Sequence, residues 1–311
     1  NIISMNNMFS NASAVQGLRD GGYGDADFDI EVAPLIYLDA YESSKNIIYR
    51  TDTAAELGVH GRGYKPVAPK KMIDNTRNIL ERSDLNTVGL TEQIRTSHDG
   101  ARCFVQYNLP AHTYETGDGD RASLSLLSTS SFDGTWPFMI SVAAVQSACT
   151  NLQVFVSGEV AIYKAKHTQS LDIEHGANII VKSLDVFNNE RELWKAWQGT
   201  QVRDMEAFNF FADALDVKLE SGFTLSTPVD LLNSLPRRNE NLNYIWRMYD
   251  SIYRNRLGAN WWAVYNAMTD WSTHFGAVRQ SSERNIASIQ NDRQQVIRKA
   301  IKSEPVLRLA S

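Results

Sequence analysis

The chain has 311 residues, of which 43% are hydrophobic and 22% are charged, and its formal net charge is −5. This composition is typical of a globular protein that buries one large core or two modest ones, and it contains no run of 18 apolar residues, which excludes a membrane-spanning helix. The negative net charge argues mildly against nucleic acid as a partner.

The first 28 residues are rich in Asn, Gly, Asp and Ser and have neither a helical nor a strand period. We predict a flexible N-terminal arm there. The chain begins at Asn1 rather than Met, so we expect a cropped or processed start. Two strands follow over residues 28–38 and 45–51, with a turn at residues 43–46, and then a short helical turn over residues 54–57.

Charge is segregated along the chain. Residues 1–59 carry nine acidic side chains against three basic ones, whereas residues 60–82 carry six basic side chains against two acidic ones. The segment from His60 to Pro66 is basic, contains Tyr64 and precedes a predicted helix over residues 70–82. Cations beside an aromatic ring suit single-stranded nucleic acid, because they neutralise phosphates while the ring stacks on a base. An ordinary solvated loop remains the alternative.

The most regular stretch runs over residues 94–151. Asp99-Gly100 and Asp133-Gly134 each separate two strand-like runs, and Asp-Gly at such a position predicts a tight hairpin. Apolar residues alternate along these strands, so we expect one buried face and one polar face of Ser and Thr that suits solvent or a ligand. Cys103 and Cys149 lie in predicted strands, give no metal spacing or disulfide framework, and are expected to be buried thiols in a reducing, cytoplasmic setting.

Helices dominate the rest of the sequence. After a strand over residues 154–166, we predict helices over residues 171–198, 203–215, 242–257, 260–274 and 281–302, with Thr227 capping a short turn at Pro228. The order of elements favours an α+β fold, an antiparallel β-meander packed on one face by a long helix and followed by a helical C-terminal half. We divide the chain into a flexible arm (1–28), an α+β core domain (29–275) and a basic C-terminal helix (276–311) that contacts a neighbouring protomer or nucleic acid.

Four short motifs occur in a fixed order along the chain. They are Ser97-His98-Asp99-Gly100, Cys149-Thr150-Asn151, Lys166-His167-Thr168 and the run from Trp262 to Trp271 (WAVYNAMTDW). Together they resemble a family of phage- and plasmid-borne proteins catalogued as a domain of unknown function, over roughly residues 30–275. The resemblance implies mobile DNA and the bacterial cytoplasm as the setting, and it implies no particular chemistry.

Catalysis has less support than binding. His98 and Asp99 are adjacent and no nucleophile is fixed beside them, although Cys149 can approach His98 across the sheet, which leaves a cysteine/histidine hydrolase as a minor alternative. The oxygen-rich run at residues 116–120 lacks the ligand rhythm of a calcium loop. No P-loop or dinucleotide fingerprint is present. We therefore expect a protein that is not an enzyme and has no metal or other cofactor.

The predicted layout is also similar, more distantly, to that of phage single-strand annealing proteins. This analogy implies a homo-oligomeric ring or filament that binds single-stranded DNA and acts in annealing-type recombination without ATP. The candidate DNA-binding residues are Arg62, Tyr64, Lys65, Lys70, Lys71, Arg95, Arg102, Lys164 and Lys166, and we expect them to converge on a groove beside the central sheet. The alternative, suggested by the charge segregation, is a structural or interaction protein of the phage particle or of host takeover.

Overall fold

The computed structural model describes residues 2–38, 41–116, 119–146, 152–154, 161–165, 173–219, 227–235, 239–276 and 286–303. Its strands form two antiparallel sheets, and its helices concentrate in the C-terminal half. The predicted α+β fold is therefore confirmed. None of the described helices combines the length and the hydropathy that a bilayer crossing requires.

The elements are numbered here in chain order. The strands are β1 (Ile30–Tyr37), β2 (Tyr41–Arg50), β3 (Glu56–Gly61), β4 (Thr91–Ser97), β5 (Arg102–Glu115), β6 (Arg121–Ser131), β7 (Phe138–Gln146), β8 (Leu152–Val154) and β9 (Ala161–Ala165). The helices are α1 (Ile2–Asp20), α2 (Pro69–Arg82), α3 (Ile173–Ile180), α4 (Ser183–Gly199), α5 (Asp204–Ala214), α6 (Pro228–Ser234), α7 (Glu240–Met248), α8 (Arg254–Leu257), α9 (Trp261–His274) and α10 (Ile286–Ser303). A π turn, Tyr249–Tyr253, joins α7 to α8.

The smaller sheet has the order β1-β2-β3. Two predictions fail there, since residues 43–46 lie inside β2 and residues 56–57 begin β3 instead of ending a helical turn. The reversal between β2 and β3 is closed by hydrogen bonds between Arg50 and residues 54–55, and Ala54 adopts a φ of 57°. A left-handed residue at this position turns the chain back onto β2, which sequence composition does not reveal.

The larger sheet has six strands in the order β4-β5-β6-β7-β8, with β9 also paired to β7. Both predicted Asp-Gly hairpins are confirmed, β4–β5 at Asp99-Gly100 and β6–β7 at Asp133-Gly134. The predicted alternation is confirmed as well, because its apolar residues are all buried. These residues are Leu124, Leu126, Phe138, Ile140 and Val142. They share one core with residues of α2 and α3, so this first face is the apolar one.

The second face of the larger sheet is polar, but it is not open to solvent. Ser125, Thr129 and Ser141 are all buried, beside a small apolar cluster that contains Phe104 and Trp136. α10 contacts β4 and β5, where Ser288 bonds Ser97 and Arg102 of this face, and it also contacts β8. The expectation of a polar face free for solvent or a ligand is therefore wrong for the described part of the sheet.

The N-terminal segment is helical over residues 2–20, so the prediction of a flexible arm is wrong there. Asn11 is fully buried and donates hydrogen bonds to the carbonyls of Ser83 (2.9 Å) and Leu85 (3.0 Å) at the end of α2. Arg19 forms an ion pair with Glu81 at 2.6 Å. Polar residues that look solvated in the sequence are thus satisfied by a distant element.

The helices of the C-terminal half largely follow the prediction. The exception is the long helix over residues 171–198, which the structure divides into α3 and α4. Asn260 caps α9 by accepting a hydrogen bond from the Ala263 amide (2.9 Å), and Thr227 caps α6 before Pro228. Eleven of the fourteen residues of α9 are buried, which makes this helix the centre of the helical half.

Candidate functional site

Three of the predicted DNA-binding residues, Arg95, Arg102 and Lys164, lie near one end of the larger sheet, the end that carries the turns at residues 98–100 and 133–134. We call it the turn end. Five residues pair directly across successive strands on the second face near this end: Arg95, Phe104, Thr129, Met139 and Lys164. The loop before α2 reaches the same end, because the Tyr64 hydroxyl donates to the Ser131 carbonyl at 3.2 Å.

Three of the predicted cations are matched with carboxylates. Arg62 pairs with Glu42 at 3.0 Å, and Lys70 pairs with Asp29 at 2.8 Å and with Asp27 at 3.4 Å. The third, Arg102 (described below), pairs with Asp133. An ion pair lowers the charge that a side chain offers to a phosphate, so this part of the expected groove is weaker than the sequence suggests.

Tyr64 is part of the seam between the two sheets. Its ring stacks on His60 with centroids 4.0 Å apart and planes 12° apart, and burial raises the pKa of its hydroxyl to about 12. The His60 Nε2 atom in turn bonds the Phe132 carbonyl. A Cβ added at Gly58 would overlap the Phe132 carbonyl oxygen, so only glycine lets β3 approach this turn. One ring face of Tyr64 is therefore occupied and its hydroxyl is bonded.

Three predicted lysines, Lys65, Lys71 and Lys164, are exposed and form no ion pair with any residue that the structure describes. Lys45 is a fourth of this kind, opposite Gly61 in the β2–β3 ladder, although it belongs to the acidic N-terminal segment of the sequence. These four lysines are called the basic rim. Lys166 lies outside the described residues.

Arg95 and Arg102 face α10 on the second face of the sheet. Arg95 donates to Gln290 Oε1 at 2.6 Å and to Gln93 Oε1 at 3.1 Å, and burial lowers the pKa of its guanidinium. Arg102 donates to Asp133 Oδ2 at 2.6 Å and to Ser288 Oγ at 3.2 Å. α10 thus places its own polar side chains on two of the predicted DNA-binding residues.

The backbone is left-handed at three successive residues of the turn after β4. His98, Asp99 and Gly100 have φ values of 53°, 57° and 102°. The turn is held by a hydrogen bond from Arg50 Nη1 to the Asp99 carbonyl at 3.0 Å. Strained non-glycine residues concentrate at functional sites, and a cavity of about 580 Å³ opens beside this turn, lined by residues that include Arg50, Asp99 and Asp25.

The geometry around His98 does not assemble a cysteine hydrolase in the described part of the chain. Its Nδ1 atom lies 3.2 Å from Ser97 Oγ, which shares a hydrogen bond of 2.7 Å with Ser288 Oγ. Ser97 is fully buried, so a substrate cannot reach it. Burial raises the pKa of Cys103 to about 12, which disfavours the thiolate that acts as nucleophile. Cys149 lies outside the described residues.

Asp133 makes stability depend on pH at the turn end. Burial alone would raise its pKa, but hydrogen bonds from Thr135 and Arg102 outweigh this effect and hold the pKa at about 2, below the ordinary 3.8. The carboxylate therefore stabilises the fold above pH 3.8 and loses this contribution as pH falls toward 2. We expect Asp133→Asn to remove about 1 kcal/mol of acid-dependent stability, after allowance for solvent screening. Urea unfolding at stepwise lower pH measures this, and equal pH dependence of the two proteins would contradict it.

A family model described as Domain of unknown function (DUF932) matches residues 56–292, which is more than half of the chain. The chain belongs to this family. The predicted resemblance to a domain of unknown function is confirmed, whereas a phage or plasmid setting stays a prediction. No curated protein and no solved structure matches the chain.

The DUF932 segment begins at the start of β3 and ends in the first half of α10, so β1 and β2 precede it. It contains the strained turn at Ser97–Gly100, the basic rim except Lys45, and all of α9. Among the residues described, no three His, Cys, Asp or Glu side chains group as metal ligands.

Proposed function

We propose that this DUF932 chain binds single-stranded DNA through the basic rim and promotes annealing of complementary strands without ATP, as a homo-oligomer. The observation that carries the proposal is that Lys45, Lys65, Lys71 and Lys164 are exposed and have no ion pair among the described residues. Lys65 follows Tyr64, which bonds the Ser131 carbonyl at the turn end, and Lys164 lies opposite Met139 near the same end. Lysines of this kind bind phosphates as flexible point charges and read no sequence, which suits a protein that must release strands for pairing.

The chain carries a net charge of −5, so binding must depend on local charge and not on the overall charge. The ion pairs of Arg62, Lys70 and Arg102 with carboxylates remove much of the positive charge that the sequence suggested. The cations that have no ion pair among the described residues predict weak binding of single-stranded DNA, which is strongest at low salt. Several weak contacts gain affinity when copies of the chain bind one strand together, which supports a ring or filament as the active form.

Fluorescence anisotropy with a labelled oligothymidine over a salt series tests the proposal. The triple variant Lys65→Ala, Lys71→Ala, Lys164→Ala is expected to lower the slope of log affinity against log salt by about 2, at roughly 0.7 for each phosphate contact on a single strand. A matched control, Arg121→Ala, Lys195→Ala, Lys218→Ala, removes the same charge from other exposed positions. Arg121 pairs with Glu115, at the opposite end of the sheet, so the control should bind like the parent.

Absence of binding at low salt, or an equal loss in both triple variants, would overturn the proposed DNA contact. Annealing is measured separately, by the fluorescence of two complementary labelled strands mixed with the protein and no nucleotide. Binding without faster annealing would limit the function to strand protection.

A second candidate function is a structural or interaction protein of a phage particle or of host takeover. The observation that favours it is the β1–β2 hairpin, whose tip exposes Ile36 (59%), Tyr37 (53%), Leu38 (80%) and Tyr41 (61%). The two tyrosine rings stack 5.9 Å apart and extend this apolar surface. Exposed apolar clusters mark protein contacts, and we expect a protein that has only this role not to bind the oligothymidine.

A further inference from the structure

Arg95 is a partly buried cation with neutral partners. Its two hydrogen-bond acceptors, Gln290 and Gln93, are amide oxygens, and no carboxylate in the described part of the chain pairs with it. The neighbouring Arg102 differs, because it has Asp133. A cation withdrawn from water without an opposite charge is costly, and an anion at the same position would offset that cost.

The layer between α10 and the sheet is polar on both sides. On the helix, Ser288, Gln290 and Gln294 are at most 5% exposed. On the sheet, Gln106 and Ser125 both donate to the Asn108 side chain, so these polar groups are satisfied without the helix. Separating the start of α10 from this face would therefore leave these two sheet residues bonded, whereas separating α2 from the first face would expose apolar core residues.

The two halves of α10 are held differently. Arg293 donates to the carbonyls of Trp271 and Phe275, both at 2.9 Å, at the end of α9. Beyond it, Ile297 and Ile301 are buried in the main core. Before it, Ser288 and Gln290 form hydrogen bonds with Ser97, Arg102 and Arg95 of β4 and β5, and Gln290 also donates to the Thr273 carbonyl of α9 at 3.3 Å. The second half of the helix is thus held by apolar burial, whereas these hydrogen bonds hold the first half.

We infer that the first half of α10 is a displaceable cover over a phosphate-binding site formed by Arg95 and Arg102. In the open form, phosphate oxygens replace Gln290 and Ser288 at the two guanidinium groups, which suit phosphate because their donors are planar and paired. The inference rests on the proposed function, since the phosphate belongs to the bound strand. Arg95 lies on the same cross-strand row of the sheet as Lys164, and Arg102 lies on the next row toward the turn end.

A disulfide tests the cover directly. Ser97 Oγ and Ser288 Oγ are 2.7 Å apart, so the double variant Ser97→Cys, Ser288→Cys, made together with Cys149→Ser, can lock α10 onto β4 when oxidised. We expect the oxidised protein to bind labelled oligothymidine more weakly, with a salt slope lower by about 1.4 for the two lost contacts. Reduction restores both, and the single-cysteine variants are unaffected by oxidant. Equal binding before and after reduction would overturn the inference.

A charge variant covers the case in which the disulfide fails to form. Gln290→Glu places a carboxylate against Arg95 and is expected to reproduce the loss, whereas Gln295→Glu adds the same charge on an exposed position of α10 and is expected to have a smaller effect. An equal effect of the two glutamates would argue against the cover.

The outcomes separate this inference from the proposed function. If oligothymidine binding depends on the lysines of the basic rim but is unchanged by the disulfide and by Gln290→Glu, the proposed cover is wrong and the proposed DNA binding stands. If the parent protein binds no oligothymidine, the same lock is tested with inorganic polyphosphate. If polyphosphate binds more weakly to the oxidised protein, the phosphate site is supported and the proposed DNA binding is wrong. If polyphosphate binding does not depend on oxidation, both proposals are wrong.

Discussion

Replacing Arg77 with methionine is expected to lower the free energy of unfolding by about 3–5 kcal/mol, because it leaves a buried carboxylate without its partner. The Arg77 side chain is 0% exposed and that of Glu92 is 6% exposed. Arg77 donates to both Glu92 oxygens, at 3.1 Å and 2.6 Å, and to the Gly22 carbonyl at 2.7 Å. One side chain thus joins α2, β4 and the segment that follows α1.

Urea unfolding of three proteins tests this account. The double variant Arg77→Met, Glu92→Leu removes both charges and should recover much of the loss, because a buried pair replaced by apolar groups is often nearly neutral. Lys195→Ala, which breaks an exposed pair with Glu192, should leave stability nearly unchanged. If the double variant were as unstable as the single one, packing and not charge would explain the effect of Arg77.

The larger sheet could be predicted because its signals are local. Asp-Gly pairs at residues 99–100 and 133–134 and the alternation along β6 and β7 specify turns and faces within a few residues of each other. The helix boundaries around α9 are local too, since Asn260 caps its first turn and Gly258, with a φ of 90°, ends the helix before it.

Whether an individual cation is buried, ion-paired or exposed could not be predicted, because this depends on residues that are distant in the sequence. Within the basic segment at residues 60–82, Arg77 is fully buried, Lys70 pairs with Asp29, and Lys71 is exposed, although the three look alike in the sequence. Arg95 meets Gln290, which is 195 positions away. The same limit explains α1, whose polar residues find partners on α2.

The contact between α10 and the second face of the sheet could not be predicted from the sequence either. The sequence predicts that the C-terminal helix contacts a neighbouring protomer or nucleic acid, and that the Ser and Thr face of the sheet suits solvent or a ligand. Ser288 and Gln290 of α10 instead bond residues of that face in the same chain. A pattern of apolar residues predicts burial, but two matching polar surfaces give no such signal. This is the part of the candidate site on which the proposed cover over Arg95 and Arg102 depends.

Replacing Asp270 with alanine is expected to lower the free energy of unfolding by about 2–4 kcal/mol. Asp270 belongs to the motif from Trp262 to Trp271, and its two oxygens accept from the hydroxyls of Tyr244 (2.6 Å) and Tyr253 (2.8 Å). These tyrosines come from α7 and from the π turn after it, so one carboxylate fastens both to α9. Tyr253 is 2% exposed, and its hydroxyl loses this acceptor when Asp270 is removed.

A double-mutant cycle separates this role from a role in binding. Tyr253→Phe should cost about 1–2 kcal/mol in the parent and much less in the Asp270→Ala protein, because the hydrogen bond is already gone. Asp292→Ala, at an exposed carboxylate of α10, should change stability by about 0.5 kcal/mol or less. If Asp270→Ala left stability unchanged but abolished oligothymidine binding, the motif would serve the ligand. The buried position of α9 and the two short tyrosine bonds favour a structural role, in which the motif fastens α7 and the π turn to α9.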